Sequence, residues 1–376
     1  MKIAYVITYF HPFTGGAETN CLEIAKRLAK TNEVHVFTSG RKEEKIEKKE
    51  EIIDNIQIHR SKTWFRKGYY FAFYPSLIKK LLKYDFDIIH FHSFGFIQHD
   101  LALLLCKLSK KSKLVCTPHG PFMALKKYTL LERLFKFLVN SSEKLFYNKL
   151  YDAVIEVNPY QLKWLKKQGI NKNKIHLIPN GISESIFKKT DSSDFKKKYN
   201  LTGFILGYLG RIQKYKGLEQ IIKTLPLLKD VKFLAIGEDA GNKNNLISLA
   251  EKLNVKDRVI FTGRLSEEDK IKALDSMSIF IFPSEWEAFG ISMLEAMARK
   301  KPIISTKTEG AEYLISKENG LLFDYNDTKT LTREILFLKK EKKISSAMSK
   351  ANKIKSKEFL WEKIAEKVLK LYISLQ

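Results

Sequence analysis

Two glutamates, Glu287 and Glu295, flank a glycine turn in the stretch Phe282-Pro283-Ser284-Glu285-Trp286-Glu287-Ala288-Phe289-Gly290-Ile291-Ser292-Met293-Leu294-Glu295. An apolar run over residues 279–282 predicts a strand that ends in a loop, and a helix is predicted to open near Ile291. Backbone N–H groups at such a helix start lack intrahelical partners and sit at the positive end of the dipole, so they suit a phosphate. Gly290 lets the backbone approach a ligand with no Cβ in the way. Glu287 and Glu295 can accept hydrogen bonds from hydroxyls on either side of that phosphate. The stretch therefore reads as a site for a sugar joined to a nucleotide diphosphate.

A second loop carries the complementary charge. After a predicted strand over residues 204–209 comes Gly210-Arg211-Ile212-Gln213-Lys214-Tyr215-Lys216-Gly217, then a helix. Arg211 offers a planar fork and Lys216 a point charge, and both can reach a diphosphate from a strand-to-helix loop. In a lysine-rich chain such a pair can also be merely solvated. Near the N-terminus, Gly15-Gly16 lies between a strand and a helix, in Phe10-His11-Pro12-Phe13-Thr14-Gly15-Gly16-Ala17-Glu18. Its N–H groups can face a phosphate or sugar, or simply make a tight turn. It is not the GxGxxG dinucleotide pattern, so a nicotinamide cofactor is not expected.

His90 and His92 end a strand two positions apart and share a face, but no third metal ligand is evident nearby. His119, in Thr117-Pro118-His119-Gly120, also follows a strand. It either points into a ligand cleft or caps its own strand.

These residues need a frame, and the chain supplies one. Short β-branched runs alternate with amphipathic stretches throughout, which predicts parallel strands with helical crossovers. In the first half the strands are expected at residues 2–8, 34–38, 56–60, 88–91, 113–117, 153–157 and 175–178, with helices at 17–30, 76–82 and 160–168. A polar interval with few core candidates, 183–200, follows Pro179-Asn180-Gly181. The pattern restarts with strands at 204–209, 232–236, 259–262, 279–282 and 302–305 and helices at 218–225, 246–253, 267–276 and 292–298. Two doubly wound units in tandem are expected, joined near residue 185, with ligands at the carboxyl ends of the strands. Domain closure is expected about linkers at 183–190 and 352–358. A last helix, about 361–375, places Ile364, Val368, Leu371 and Tyr372 on one side and could pack on either unit.

Composition sets the outer bounds. The 376 residues suffice for two cores, and the hydrophobic fraction of 44% is that of an ordinary globular protein. No apolar run approaches the roughly 18 residues that span a bilayer. Residues 1–10 are apolar but lack a cleavage-site pattern, so they read as a first strand, not a leader. Cys21, Cys106 and Cys116 fit neither a zinc spacing nor a disulfide framework, which points to a reducing cytoplasm. Lys+Arg number 67 against 42 Asp+Glu, a formal net charge of +25, which favours anionic partners without choosing among them. The segment 62–84, with Arg66, and the segment 128–138, with Arg133 and Lys136 and with Lys126 and Lys127 just before it, interleave basic residues with aromatics and leucines. Each can lie on an anionic membrane or pack on the sheet as a crossover. A nucleic-acid binder would explain the charge, but no groove-reading helix or set of sheet aromatics is evident.

Taken in order, the motifs resemble those of the family 4 retaining glycosyltransferases of GT-B fold. The resemblance runs over nearly the whole chain. It begins with Pro12…Gly15-Gly16-x-Glu18, Ile89-His90-Phe91-His92, Pro118-His119-Gly120 and Ile178-Pro179-Asn180-Gly181-Ile182, and continues with Leu209-Gly210-Arg211…Lys216-Gly217, Ile236-Gly237-Glu238, Phe261-Thr262-Gly263, Glu287-x7-Glu295 and Asn319-Gly320-Leu321-Leu322-Phe323. It implies two Rossmann-like domains facing a central cleft. These are 1–184, on the acceptor side, and 185–356, which binds the donor, with a C-terminal helix 357–376 crossing back to the first.

It also implies roles. Arg211 and Lys216 would hold the donor diphosphate, with N–H groups at Phe289, Gly290 and Ile291 and the Gly15-Gly16 loop. Glu295 would bind the ribose, Glu287 the sugar hydroxyls, and His119 would lie by the anomeric carbon. The nucleobase would lie near Gly237, Glu238, Arg264 and Leu265. No metal or other cofactor is expected, since cationic side chains and helix starts neutralise the leaving diphosphate. Two departures stand out: Ala288 where the family has Gly, and Thr308-Glu309-Gly310-Ala311-Glu312 in place of Gly-Gly-x-x-Glu, which leaves Glu312 without a secure role.

The expectation is therefore transfer of a sugar from a UDP- or GDP-linked donor to an acceptor hydroxyl, with retention, in polysaccharide biosynthesis. The acceptor is expected to be a lipid-linked or cell-surface glycan, and the enzyme to be cytoplasmic, at the inner face of the membrane, with no nucleic-acid partner. Retention by double displacement would need a carboxylate nucleophile, and the N-terminal cleft loops offer no convincing candidate; the resemblance implies a reaction on one face of the sugar, in which the leaving phosphate oxygen takes the acceptor proton. The rivals are a nucleotide-sugar epimerase, a transferase acting on a small soluble acceptor, and a non-catalytic partner subunit.

Overall fold

The computed structural model describes residues 1–40, 48–67, 71–109, 111–121 and 128–376. The chain divides into two compact units, residues 1–180 with 361–376, and residues 181–360.

In the first unit eight strands form one sheet in the order Ile175–Leu177, Ala153–Glu156, Lys113–Thr117, Ile88–His92, Lys2–Val6, Glu33–Ser39, Ile56–Ser61, Glu50–Ile53. Every pairing is parallel except the last, which is antiparallel. The first strand is central, and the chain builds outward on both sides of it, so the order reverses between Lys2–Val6 and Ile88–His92. The loops that follow these two strands carry Gly15 and Ser93-Phe94-Gly95.

The second unit has six parallel strands, in the order Val259–Gly263, Val231–Ile236, Phe204–Leu209, Ile279–Phe282, Ile303–Thr306, Gly320–Phe323. All four residues of Ile279–Phe282 are buried, as expected of a central strand covered on both faces. Here the order reverses between Phe204–Leu209 and Ile279–Phe282. The basic loop and the two-glutamate loop are the extensions of those two strands, so they flank the point where a doubly wound sheet opens a crevice.

The closing helix Trp361–Leu375 belongs to the first unit, where Ile364, Val368, Leu371 and Tyr372 are buried. It packs on the helix Gly16–Leu28, and Arg27 meets Glu362 at 2.7 Å.

The strands predicted from the apolar runs are present with ends displaced by no more than two residues. Glu50–Ile53, the hairpin Phe65–Lys67 with Phe71–Phe73, and Gly320–Phe323 were not predicted. Nor were the helices Ile97–Ser109, Thr328–Lys340 and Lys342–Ser356. The polar interval 183–200 adds only Ile186 and Phe195 to the core, each 4% exposed. Two isolated apolar residues in a polar run show no period, yet Arg299 ties the segment down by donating to the carbonyls of Ile186 and Lys188 at 2.7 and 2.8 Å. The stretch 352–358 lies in the second unit, just before the closing helix. The helix Lys342–Ser356 runs into it, and buried Asn352 donates to the carbonyls of Lys301 and Asn319, both at 2.8 Å. Tyr69, Tyr70, Lys126 and Lys127 of the basic segments lie outside the described residues.

Candidate functional site

The second unit gathers its predicted residues on loops that are latched to one another. Glu285 N–H donates to the Tyr215 carbonyl at 2.8 Å. Buried Gln220 reaches across to donate to the Pro283 carbonyl at 2.9 Å. Gly217 adopts φ 68°, and a Cβ there would fall 2.2 Å from the Pro283 oxygen, so only glycine allows this approach.

Within this frame Lys216 is buried and its Nζ lies 2.6 Å from Glu287 Oε2. The ammonium also sits over the rings of Tyr215 and Phe282, 4.7 and 5.4 Å from their centroids. Burial alone would lower the lysine's pKa, but the Glu287 carboxylate outweighs it and the pKa is raised, so Lys216 stays charged. Arg211 is half-buried one loop position after Gly210, and its carbonyl accepts from the Tyr208 hydroxyl at 3.0 Å.

The neighbouring loop is zipped to it: Ile212 N–H donates to the Glu238 carbonyl at 2.8 Å and Ala240 N–H returns to Ile212 at 3.0 Å. Gly237, expected beside a nucleobase, has a local reason to be glycine, since a Cβ would lie 2.0 Å from the Gly210 oxygen. Glu238 and Arg264 are exposed and Leu265 half-buried on the loops that follow strands Val231–Ile236 and Val259–Gly263.

Glu295 sits in the helix Ile291–Ala298, which Gly290 opens at φ 90°. The first bonds of that turn are made by Met293 and Leu294 N–H to the Gly290 carbonyl, at 3.0 and 3.1 Å, beyond the N–H groups of Ile291 and Ser292. Phe289 anchors the turn, buried against Tyr313 and Phe359 with centroids 6.1 and 6.0 Å away. The Glu295 carboxylate is not solitary. Lys270, on the helix Glu267–Ser276, meets it at 2.6 Å and reaches Glu267 at 2.8 Å. Burial works against the Lys270 charge, but the two carboxylates prevail and raise its pKa. The residue types at 267–276 gave no sign of this, because the two partners are brought together only by the sheet.

The departure at Thr308-Glu309-Gly310 is also explained. Gly310 N–H donates to the Glu287 carbonyl at 3.1 Å, and a Cβ on Gly310 would fall 2.5 Å from the Phe289 oxygen. The one glycine retained is the one that lets this helix start press on the glutamate loop. Ala288 is buried beside it, and Glu312 is exposed on the helix Glu309–Leu314.

In the first unit the histidines form a column. His92 stacks on His90 and on His119 with centroids 4.6 and 5.0 Å apart, and His92 Nδ1 lies 2.8 Å from His119 Nε2. Both ring nitrogens of His90 are engaged, Nδ1 with the Tyr372 hydroxyl at 2.6 Å and Nε2 with Thr117 Oγ1 at 2.8 Å. His119 holds its place at φ 58°. Burial pushes the pKa of His90 and His119 down to about 3 and that of His92 well below its usual value, so all three are neutral imidazoles near pH 7. Gly15 is in extended backbone at the cap of Gly16–Leu28, where a Cβ would meet the carboxylate of buried Glu18 at 2.3 Å. Among the described residues no group of three His, Cys, Asp or Glu is placed to hold a metal ion.

Comparison with known proteins agrees along the chain. Residues 14–185 match the family model described as Glycosyltransferase Family 4, and residues 189–355 match that described as Glycosyl transferases group 1. The chain is 28% identical over 381 aligned positions to the O-antigen biosynthesis glycosyltransferase WclY of Escherichia coli, covering 100% of this chain and 99% of the relative. It is 26% identical to N-acetyl-alpha-D-glucosaminyl L-malate synthase of Bacillus anthracis, covering 99% and 96%. Among solved structures, sucrose-phosphate synthase from Thermosynechococcus elongatus superposes with a TM-score of 0.82 at 20% identity, covering 100% of this chain and 98% of that one. Anabaena HepE in complex with UDP and glucose superposes with a TM-score of 0.79 at 19% identity, covering 100% of both chains.

Proposed function

This chain belongs to the family 4-type glycosyltransferases of GT-B fold, and we propose that it moves a sugar from a nucleotide-diphosphate donor, UDP- or GDP-linked, to an acceptor hydroxyl with retention at the anomeric carbon. The observation that carries this reading is the pairing of buried, charged Lys216 with Glu287 on loops latched at the strand-order reversal of the second unit.

In this reading Arg211 and Lys216 receive the diphosphate, and the N–H groups at Gly290 and Ile291 add the helix start. Glu295 accepts from the ribose hydroxyls, held in position by Lys270. Glu287 orients the sugar hydroxyls while keeping Lys216 protonated. His119, as a neutral imidazole, hydrogen-bonds the sugar. In the chemical step the bond from the anomeric carbon to the phosphate oxygen breaks as the acceptor oxygen bonds to the same face. The acceptor proton passes to the departing phosphate oxygen. Charge grows on the diphosphate, where preorganised cations stabilise the transition state more than the ground state. The arrangement supplies that charge from side chains and calls for no metal ion. We assign the acceptor to lipid-linked or cell-surface glycans, in keeping with the role named for WclY. The three cysteines are buried and none is in a disulfide, and on that ground we assign the work to the cytoplasmic side.

The test is turnover of a panel of UDP- and GDP-sugars with an isolated glycan acceptor, with the product anomer read by NMR. Retention, indifference to chelators, and a kcat lowered about a hundredfold or more in Lys216→Ala are expected. An inverted product, or unchanged turnover in Lys216→Ala, would contradict it.

A further inference from the structure

The helix Leu130–Leu145 of the first unit is amphipathic the wrong way round for a helix that only covers a sheet. Its buried residues are Val139 and Glu143. Leu130, Leu131, Leu134, Phe137, Leu138 and Leu145 are all more than half exposed, Leu131 at 79% and Phe137 at 66%. They recur at three- and four-residue intervals, so they form one stripe along the outer face. Its anchor is a small contact of Val139 with Tyr128 and Phe135.

The helix Ile97–Ser109 repeats the pattern: Ile97, Leu101, Leu104, Leu105 and Leu108 are exposed, Leu108 at 75%. The two helices are neighbours, because buried Asp100 of one is hydrogen-bonded to buried Glu143 of the other. A third element adjoins them, since Phe71 packs on Phe135 with centroids 4.8 Å apart, and its hairpin exposes Phe65 and Phe73 beside Trp64. Isolated exposed leucines need no account, but stripes on three adjoining elements exceed what a monomeric surface ordinarily leaves open.

The charges around the stripes select the occupant. Lys107 lies on the helix Ile97–Ser109 and Arg133, Lys136 and Lys144 on the helix Leu130–Leu145, Lys111 follows the former, and Arg66 is on the strand Phe65–Lys67. Of the acids nearby, Glu132 is engaged in the capping box with Thr129, Asp152 meets Lys107 at 3.3 Å, and Asp100 and Glu143 are buried beneath. Two copies of this face brought together would oppose like charges in a chain of net charge +25. An anionic lipid surface meets them with opposite charge while the leucines and phenylalanines enter the acyl boundary.

We propose that this face of the first unit, formed by helices Ile97–Ser109 and Leu130–Leu145 with the hairpin beside them, docks on an anionic bilayer with its helices in the interfacial plane. The surface belongs to the first unit and the donor loops to the second, so the inference stands or falls apart from the catalytic reading. Docking there would present the first unit to an acceptor carried in the same membrane.

The experiment is co-sedimentation of the full chain with vesicles of phosphatidylglycerol and phosphatidylcholine, against phosphatidylcholine alone. The wild type is expected to partition at least tenfold more strongly onto the anionic vesicles. It should stay partly bound at about 0.5 M salt, where charge is screened over a few Å and apolar insertion persists. Leu134→Glu with Phe137→Glu should lower partition at least tenfold, and Arg133→Glu with Lys144→Glu should remove the preference for anionic lipid. Nucleotide-diphosphate binding, measured on the same variants, should be unchanged and reports that they fold. Three results would each overturn the proposal: failure of the wild type to bind anionic vesicles, binding indifferent to the Leu134 and Phe137 changes, or a dimer in solution that those changes dissociate.

Discussion

The two units treat buried ionisable groups in opposite ways. At the strand-order reversal of the second, Lys216 and Lys270 are held charged by Glu287 and Glu295 at 2.6 Å each. At the matching place in the first, His90, His92 and His119 are stripped of charge by burial, and Asp100 and Glu143 are pushed toward their protonated forms. Both units are doubly wound parallel sheets, so the fold does not impose the difference. The difference lies in whether each buried group has an opposite charge within hydrogen-bonding reach. A fixed, paired cation suits an anionic diphosphate. A neutral imidazole suits a ligand that offers hydroxyls.

The contrast is broken most severely by removing a cation. Lys216→Ala is expected to lower kcat about 10²- to 10³-fold, because the cation acts where charge develops and Glu287 is left unpaired. His119→Ala, which removes a neutral hydrogen-bonding partner, should cost about tenfold to a hundredfold. Equal losses from the two variants would erase the distinction. Lys270→Ala tests a positioning role. The Michaelis constant for the donor should rise about tenfold with kcat little changed, and Lys270→Arg should recover much of the loss by restoring the pair to Glu295.

The neutral side of the comparison is open to titration. The imidazole resonances of His90 and His119 should show no ionisation between about pH 5 and 8, since burial holds both pKa values at about 3. A midpoint near the usual histidine value of 6.5 would place them in a solvated setting.

The smallest effect expected concerns Glu143. Burial raises its pKa to about 7, with Gly95 N–H donating to Oε1 at 2.8 Å. The native state therefore binds more protons than the unfolded chain between the ordinary carboxyl value of 4.5 and about 7. This contribution to stability is complete below that window and is lost as pH rises through it, by at most about 1.4 kcal/mol per pH unit. The histidines act in the opposite sense at lower pH, so the comparison must be with Glu143→Gln. The stability of that variant should rise more, or fall less, with increasing pH between about 5 and 7 than that of the wild type; an identical slope would show that Glu143 ionises freely.

Much of this was legible in the sequence where chemistry and burial leave local signatures. Parallel strands covered on both faces are unbroken apolar runs, so Ile279–Phe282 and Lys113–Thr117 could be placed directly. The edge strand Glu50–Ile53, with two glutamates and an exposed Ile52, has no such run. The helix Ile97–Ser109 is apolar around too much of its circumference to show a face, and its outward leucines are the reason. In the site, the glycines and the paired glutamates could be singled out by type and spacing. What Gly237 and Gly310 do could not, since each makes room for a backbone oxygen from another segment, on Gly210 and on Phe289. Lys270 escaped for the same reason: its partner Glu295 is adjacent only once the sheet has formed.

In the proposed reading the loops of the second unit hold a nucleotide diphosphate through Arg211 and Lys216. Calorimetric titration of the full chain with UDP and GDP tests it without any acceptor. One nucleotide should bind the wild type, and Arg211→Ala and Lys216→Ala should each raise its dissociation constant about tenfold or more. Tight binding that neither substitution weakens would place the diphosphate elsewhere and contradict the account.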